Sequence, residues 1–304
     1  MRRFEDMQTF VRVVDAGSIS AAAAQLGVAK SAVSRRLSEL EARLGVQLLR
    51  RTTRRLNLTD TGRGFYDRCR RILADLEEAE AAVSQAHATL RGRLRVAAPL
   101  SFGLRHLGPA ITEFMRAHPQ VEFDLDFNDR QVDLLAEDID VAIRIARLED
   151  SSLIARRLWA SRLVLCASPA YLQACGVPLT PEDLTAHRAL VYSHTQDPTQ
   201  LALRDAAGRE YRVRVPERLR ANNGDFLRQA AEAGEGLVLS PSFIVHDALR
   251  SGELVRVLPA YTADEVHAYA VYPQTRHLSQ RVRAFVDFLA ERFAGVPYWD
   301  RGLA

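Results

Sequence analysis

The sequence predicts an α/β protein in three parts: an N-terminal winged helix-turn-helix, a long linker helix able to form a coiled coil, and a two-lobed α/β domain. Three observations predict it. The first 63 residues are basic and break into short helical patterns at glycine-containing turns. Residues 65–90 carry apolar positions at a 3.5-residue repeat. Beyond residue 91, strand-like and helix-like stretches alternate in βαβ order, which implies a parallel sheet. A chain of 304 residues is long enough for two or three domains with their own cores.

Charge divides the chain. Residues 1–63 hold twelve Lys and Arg against six Asp and Glu, a balance of +6. The remainder holds 29 against 32, a balance of −3, which recovers the overall +3. A basic head on a mildly acidic body suits a polyanion partner, although a solvated basic surface would give the same count. No run of eighteen apolar residues predicts a membrane span. The start, Met-Arg-Arg-Phe-Glu-Asp, lacks an apolar signal region, and Cys69, Cys166 and Cys175 form no CxxC pair. A reducing cytoplasm is therefore expected, without metal or cofactor.

Within the head, Phe4, Met7, Phe10, Val11 and Val14 fall at helical spacing. Ser18 or Ser20 can cap a second helix, AAAAQLG, which Gly27 ends. On the third helix, Val33, Leu37, Leu40 and Leu44 share a face expected to be buried. Ser31, Arg35 and Ser38 lie opposite, flanked by Lys30, Ser34 and Arg36. These donors suit base edges and phosphates, as on a recognition helix; a plain solvated amphipathic helix would show the same pattern. The stretch LLRRTTRRLNLTDTG predicts a two-stranded wing, with Arg50, Arg51, Thr52, Thr53, Arg54 and Arg55 at its tip. Thr59 can cap the next helix.

The 3.5-residue repeat runs through Phe65, Cys69, Ile72, Leu76, Ala79, Val83, Ala86 and Leu90. A seam of that kind pairs two chains; packing of the helix on its own chain is the other reading. Expected limits are 1–63 for the head, 64–90 for the linker and 91–304 for the C-terminal domain. In the last, lobe I covers about 91–165 and 268–304, and lobe II about 166–267. Predicted strands lie at 93–99, 121–127 and 140–145, and in RLVLCASP, ALVYS, YRVRVP and GLVLSP. Predicted helices cover 104–117, 131–137, 169–175, 224–233, 242–250 and 278–294.

The stretch SISAAAAQLGVAKSAVSRRLSELEARLGVQLLRRTTRRLNLTDTG closely resembles the winged helix-turn-helix of LysR-type transcriptional regulators. LRGRLRVAAPLSFGLRHLGPAITEFMRAHPQVEFDL and DFLRQAAEAGEGLVLSPSFI extend the resemblance over essentially the whole chain. It implies a regulator that binds double-stranded promoter DNA, forms a dimer through the linker helix and usually a tetramer, and can engage RNA polymerase. It also implies a C-terminal domain like periplasmic solute-binding proteins, with a small effector in its cleft. Base-contacting positions map to Lys30, Ser31, Ser34 and Arg35, and wing positions to Arg50 through Arg55. Ala29 stands where the family has a Ser or Thr cap. That leaves two starts for the helix: at Lys30, or later with Ser31 as the cap.

Effector positions implied by the resemblance are Ser101, Phe102, Asn128, Asp129, Arg144, Asn222 and Asn223. With Arg144 near, and Phe102 as a stacking face, the expected effector is a small organic or aromatic acid. Asn222 and Asn223 could instead cap a helix, and Arg144 could pair within its own lobe. A transport-linked solute-binding protein is the rival class, against which the basic head argues. No Gly-x-Ser-x-Gly elbow, Walker loop or metal-ligand spacing points to an enzyme.

Overall fold

A computed structural model of the chain describes residues 2–51, 56–83, 90–145, 153–274 and 278–301. It forms two compact units, Met1–Ala88 and Thr89–Ala304. Among the described residues, no helix is long and apolar enough to cross a membrane.

The N-terminal unit opens with α1 (Arg2–Asp15), α2 (Ile19–Leu26) and α3 (Lys30–Leu44). Ser18 caps α2, its Oγ accepting from the Ala21 N–H at 3.0 Å. Gly27 ends it at φ 67°, a left-handed conformation that costs glycine nothing. Small buried residues, Ala22 and Ala23, let α2 approach its neighbours. Phe10, Val13, Val33, Leu37 and Leu40 close the core. Leu44, expected on that buried face, is exposed, because the helix ends there before Gly45.

The wing is β1 (Leu49–Arg51) paired antiparallel with β2 (Leu56–Leu58), Arg50 opposite Asn57. Glu41 ties α3 to its base: one carboxylate oxygen accepts the N–H of Leu48 (2.9 Å) and of Leu49 (3.0 Å). Thr59 then caps α4 (Asp60–Val83), its Oγ1 accepting from the Gly62 N–H at 2.9 Å.

The second unit is built in two lobes. β3 (Gly92–Ala98) leads into α5 (Leu100–Phe102), a π-helical stretch at Gly103–Leu107 and α6 (Gly108–Ala117), a continuous helical run beginning four residues earlier than predicted. β4 (Val121–Phe127), β5 (Val141–Ile145) and β6 (Leu153–Ser161) follow. The predicted helix at 131–137 is instead a short turn around Asp133, whose carboxylate accepts the N–H groups of Leu135 and Ala136. Past Arg162 the chain enters lobe II with β7 (Leu163–Ala167), α7 (Pro169–Cys175), a 3-10 turn at Pro181–Ala186 and β8 (Ala189–Tyr192). The crossing therefore comes before residue 165, because β7 pairs wholly within the second sheet. β9 (Gln200–Arg204), β10 (Glu210–Arg214), β11 (Glu217–Ala221), α8 (Gly224–Glu232), β12 (Leu237–Pro241), α9 (Ser242–Ser251), β13 (Val255–Arg256) and β14 (Thr262–Ala263) complete that lobe. The chain returns to lobe I as β15 (Val266–Pro273), α10 (Gln280–Arg292) and a 3-10 turn at Tyr298–Asp300.

Lobe I has strand order β4-β3-β5-β15-β6 and lobe II has β11-β8-β12-β7-β13, with a small β10-β9-β14 sheet beside it. Pairing is parallel among β3, β4 and β5 and antiparallel for β15 and β6; the βαβ order accounts for β3 and β4, whereas β5 follows the turn around Asp133 instead of the expected helix. The expected strands include neither β6 and β15 of lobe I nor β9, β11, β13 and β14 of lobe II. Arg156-Arg157 interrupts the apolar pattern of β6, whose exposed edge tolerates charge. The two lobes share one hydrophobic core. Phe102 stacks on Trp159 at 4.4 Å and meets Phe243 of α9 edge-on at 5.6 Å, while Trp299 closes the cluster from the C-terminal turn.

Candidate DNA-binding face and effector cleft

α3 starts at Lys30. Ala29 occupies the cap position with extended backbone (φ −64°, ψ 142°) and supplies no side-chain acceptor. Lys30 is thus the first helical residue rather than part of the turn, and the first N–H groups of α3 carry no side-chain cap, which suits a phosphate. Lys30, Ser31, Arg35 and Ser38 are exposed. Arg35 reaches outward with three-quarters of its side chain in solvent (76%), loosely paired with Glu39 at 3.8 Å. Ser38 donates to the Ser34 carbonyl at 3.1 Å.

Arg36 has another place. Its guanidinium lies 3.4 Å from the Glu5 carboxylate and donates to Thr9 Oγ1 at 3.5 Å. Arg43 likewise pairs with Asp6 at 2.9 Å. Both fasten α3 to α1, so Arg36 positions the helix and is not an outward donor as the helical projection suggested. At the wing, Arg50 is exposed. The side chain of Arg51, and Thr52, Thr53, Arg54 and Arg55, lie outside the described residues.

The apolar repeat of α4 serves two purposes. Phe65 packs on Phe10 with ring centroids 5.5 Å apart, and Cys69 is fully buried in the head's own core. Cys69 is therefore not a seam residue: α4 begins against α1, and its first turns are covered within the chain. Burial pushes that thiol up to about 11. Ile72 and Leu76 emerge on the exposed side, 43% and 36% accessible. Ala79 and Val83 continue α4 where side chains are not described, and Ala86 lies outside the described residues. Leu90, expected to end the repeat, packs on the core of the second unit, immediately ahead of β3.

In the second unit, the loops after β3 and β4 meet lobe II. Asp129 accepts the Leu100 N–H at 3.1 Å. Burial raises its carboxyl above the usual range, opposed by that N–H, by the Asn223 amide and by the field of His194. Asn223 caps α8, its Oδ1 accepting from the Phe226 N–H at 3.0 Å. Its buried Nδ2 forms no hydrogen bond of standard geometry, although it approaches Asp129. Ser101 is 3% exposed and its Oγ has no partner. Tyr192 and His194 face this place from lobe II, their rings in edge contact at 5.4 Å. Sequence reasoning passed over both, since a tyrosine ending a strand and a histidine two residues on carry no distinguishing pattern.

The other predicted effector positions are committed elsewhere. Phe102 is fully buried in the aromatic cluster and offers no face to a ligand; the requirement for a junction between lobes overrides its place beside Ser101. Arg144 donates to the Val132 carbonyl at 3.1 Å, within its own lobe. Asn128 donates to Asp126 at 2.6 Å and accepts from the Arg130 N–H at 3.0 Å. Asn222 is exposed, and the cap of α8 is its neighbour. A separate open pocket of about 410 Å³ lies on lobe II, with Arg188, Arg218, Glu235 and the C-terminal ends of α7 and α8 around it. Arg218 and Glu235 pair with each other at 3.2 Å, which leaves that pocket without one coherent charge.

Behind the cleft, His106 links the lobes. Its Nε2 lies 3.0 Å from the Phe243 carbonyl and must donate, so its Nδ1 accepts from the Tyr298 hydroxyl at 2.5 Å. Burial, with help from His246 and Arg105, lowers its pKa to about 4; Asp247 and the Phe243 carbonyl oppose the shift. The unfolded chain takes up this proton near pH 6.5 and the folded chain only near 4. The contribution of His106 is therefore complete above about pH 6.5 and is lost as pH falls toward 4. Urea unfolding followed by Trp159 and Trp299 fluorescence should show stability declining across that window. In His106→Gln the decline should be shallower; an unchanged pH dependence would remove His106 as its source.

Comparison with known proteins agrees with this architecture. Residues 4–63 match the bacterial regulatory helix-turn-helix family of LysR type, and residues 87–294 match the LysR substrate binding domain. An HTH-type transcriptional regulator of Haemophilus influenzae is 35% identical over 93% of this chain and 98% of its own. The regulator CrgA of Neisseria meningitidis, in a solved structure, is 35% identical, covering 96% of this chain and 99% of that one, with a TM-score of 0.61. The full-length virulence activator AphB of Vibrio cholerae is 28% identical over 95% and 99% of the two chains, also at TM-score 0.61. With its basic head built on an outward-facing α3 and its two-lobed domain matched over both families, the chain belongs to the LysR-type transcriptional regulators.

Proposed function

We propose that this regulator reads operator DNA with Lys30, Ser31, Ser34 and Arg35 and senses a small effector at Ser101, Asp129 and Asn223. The observation that carries the DNA reading is the division of labour among the arginines of α3. Arg36 and Arg43 lock the helix to α1, while Arg35 stands clear of the head. Fixed docking with one outward fork, held only loosely by Glu39, is what a bidentate guanine contact requires. Ile72 and Leu76 pair two chains through α4, which places two heads on one operator. The effector acts by binding two conformations of the assembly unequally, since equal affinity shifts nothing.

Competition between a selected operator and a scrambled fragment tests the reading. Arg35→Ala should lose about 1–3 kcal/mol of discrimination, with weak general DNA binding retained. Unchanged discrimination would remove Arg35 from base readout. Arg36→Ala should instead lower head stability.

A further inference from the structure

We propose that the open pocket on lobe II is a second small-molecule site, separate from the effector cleft, and that it takes a free α-amino acid with an aliphatic side chain. Its position sets it apart. β11, β8 and β12 run parallel, side by side. Tyr192 ends β8 and Asn223 follows β11, on the side of the cleft. Arg188 precedes β8, Arg218 lies at the start of β11 and Glu235 precedes β12, at the opposite end of the same strands. The pocket opens among these three side chains, and its volume of about 410 Å³ lies within the range of roughly 300–1,000 Å³ that holds small ligands.

The charges around it are mixed and close together. The Arg188 carbonyl accepts the Leu237 N–H at 2.8 Å, and a Cβ on Gly236 would stand 2.6 Å from that oxygen, so the backbones that carry Arg188 and Glu235 are in contact. The Tyr171 hydroxyl fixes this strand start by accepting the Arg188 N–H at 3.0 Å. The Arg188 side chain is exposed and in no ion pair among the described residues. Its fork suits a carboxylate. Glu235 holds Arg218 at 3.2 Å with about half of each side chain in solvent. A carboxylate has more acceptor sites than one arginine fills, so Glu235 can keep Arg218 and still accept from an ammonium. α7 and α8 both end at the pocket wall, and helix C-termini favour a cation. A simple carboxylate would meet Arg188 but stand against Glu235 and the helix ends; a simple amine would meet these and stand against Arg188. A molecule with both charges on one carbon satisfies both sides. The exposed methyl groups of Ala170, Ala174 and Ala233 line the remaining space and suit an aliphatic side chain.

Calorimetry and thiol labelling of the full-length chain test the assignment. The probes are L-alanine, L-valine, L-leucine and L-methionine, each set against the acid without its amine and the amine without its carboxylate, as 4-methylpentanoate and 3-methylbutylamine are for leucine. Cys175 lies on the pocket wall and is exposed, whereas Cys69 and Cys166 are buried, so iodoacetamide labelling of Cys175 reports occupancy. At least one amino acid should bind and slow that labelling, with its two counterparts about tenfold weaker or worse. Arg188→Gln and Glu235→Gln, both at exposed positions, should each weaken it by about tenfold with the unfolding transition unchanged. Ser101→Ala, in the cleft, should leave it as it was. Absence of binding by all four amino acids overturns the proposal, and so does a counterpart that binds as tightly as its amino acid. Binding that leaves Cys175 labelled at its unliganded rate, or that neither Arg188→Gln nor Glu235→Gln alters, places the ligand elsewhere and overturns the pocket assignment. The labelling uses the unaltered chain, so it decides even where a variant is unstable.

Discussion

Phe102→Ala should destabilise the second unit by about 3–5 kcal/mol, the range for removing a fully buried aromatic ring. Phe102 lies at the centre of five ring contacts, from Trp159 at 4.4 Å to Trp299 at 6.2 Å, and it joins lobe I to Phe243 of lobe II. No neighbour can collapse into the space without leaving its own contacts, so the cavity should persist. The loss should appear as an earlier urea midpoint reported by Trp159 and Trp299, while the head's DNA contacts are untouched at low denaturant. A loss under about 1 kcal/mol would mean that the junction repacks and that Phe102 is not a pillar between the lobes.

Gly62→Ala should cost about 3 kcal/mol or more, at or above the upper end for overpacking. A Cβ at this position would stand 2.0 Å from the Leu48 carbonyl oxygen. That carbonyl cannot easily retreat, because it accepts from the Thr59 N–H at 3.0 Å and lies against the Thr59 hydroxyl at 3.2 Å. Gly62 is thus the point where α4 crosses the root of the wing. The substitution should lower the head's unfolding temperature and its DNA affinity together, leaving the unfolding of the second unit unchanged. A folded head with ordinary DNA affinity would show that α4 can shift away from β1 without loss.

Much of this was legible in local pattern. Gly27, the alanine pair of α2 and the face formed by Val33, Leu37 and Leu40 predict the helix-turn-helix, because caps and periodicity act within a few residues. The parallel pair β3 and β4 follows from βαβ order for the same reason. What was not legible depends on partners distant in sequence. Arg36 looks like an outward donor until Glu5 and Thr9 are brought beside it. Cys69 looks like a seam residue until the head's own core closes around it. Phe102 and Ser101 are adjacent in sequence but have opposite fates: one ring is drawn into the junction, and one hydroxyl remains buried without a partner beside the cleft. The start of α3 at Lys30, despite Ala29, shows packing of Val33 and Leu37 outweighing a missing cap of about 1 kcal/mol.

The most direct test of the account is selection of sheared genomic DNA by the full-length protein, sequenced at several salt concentrations. Enrichment of a small set of fragments sharing a repeated or palindromic motif is expected, with retention falling steeply as salt rises through counterion release. Retention without any shared motif would contradict sequence reading by α3, and absence of retention at low salt would contradict DNA binding by the head.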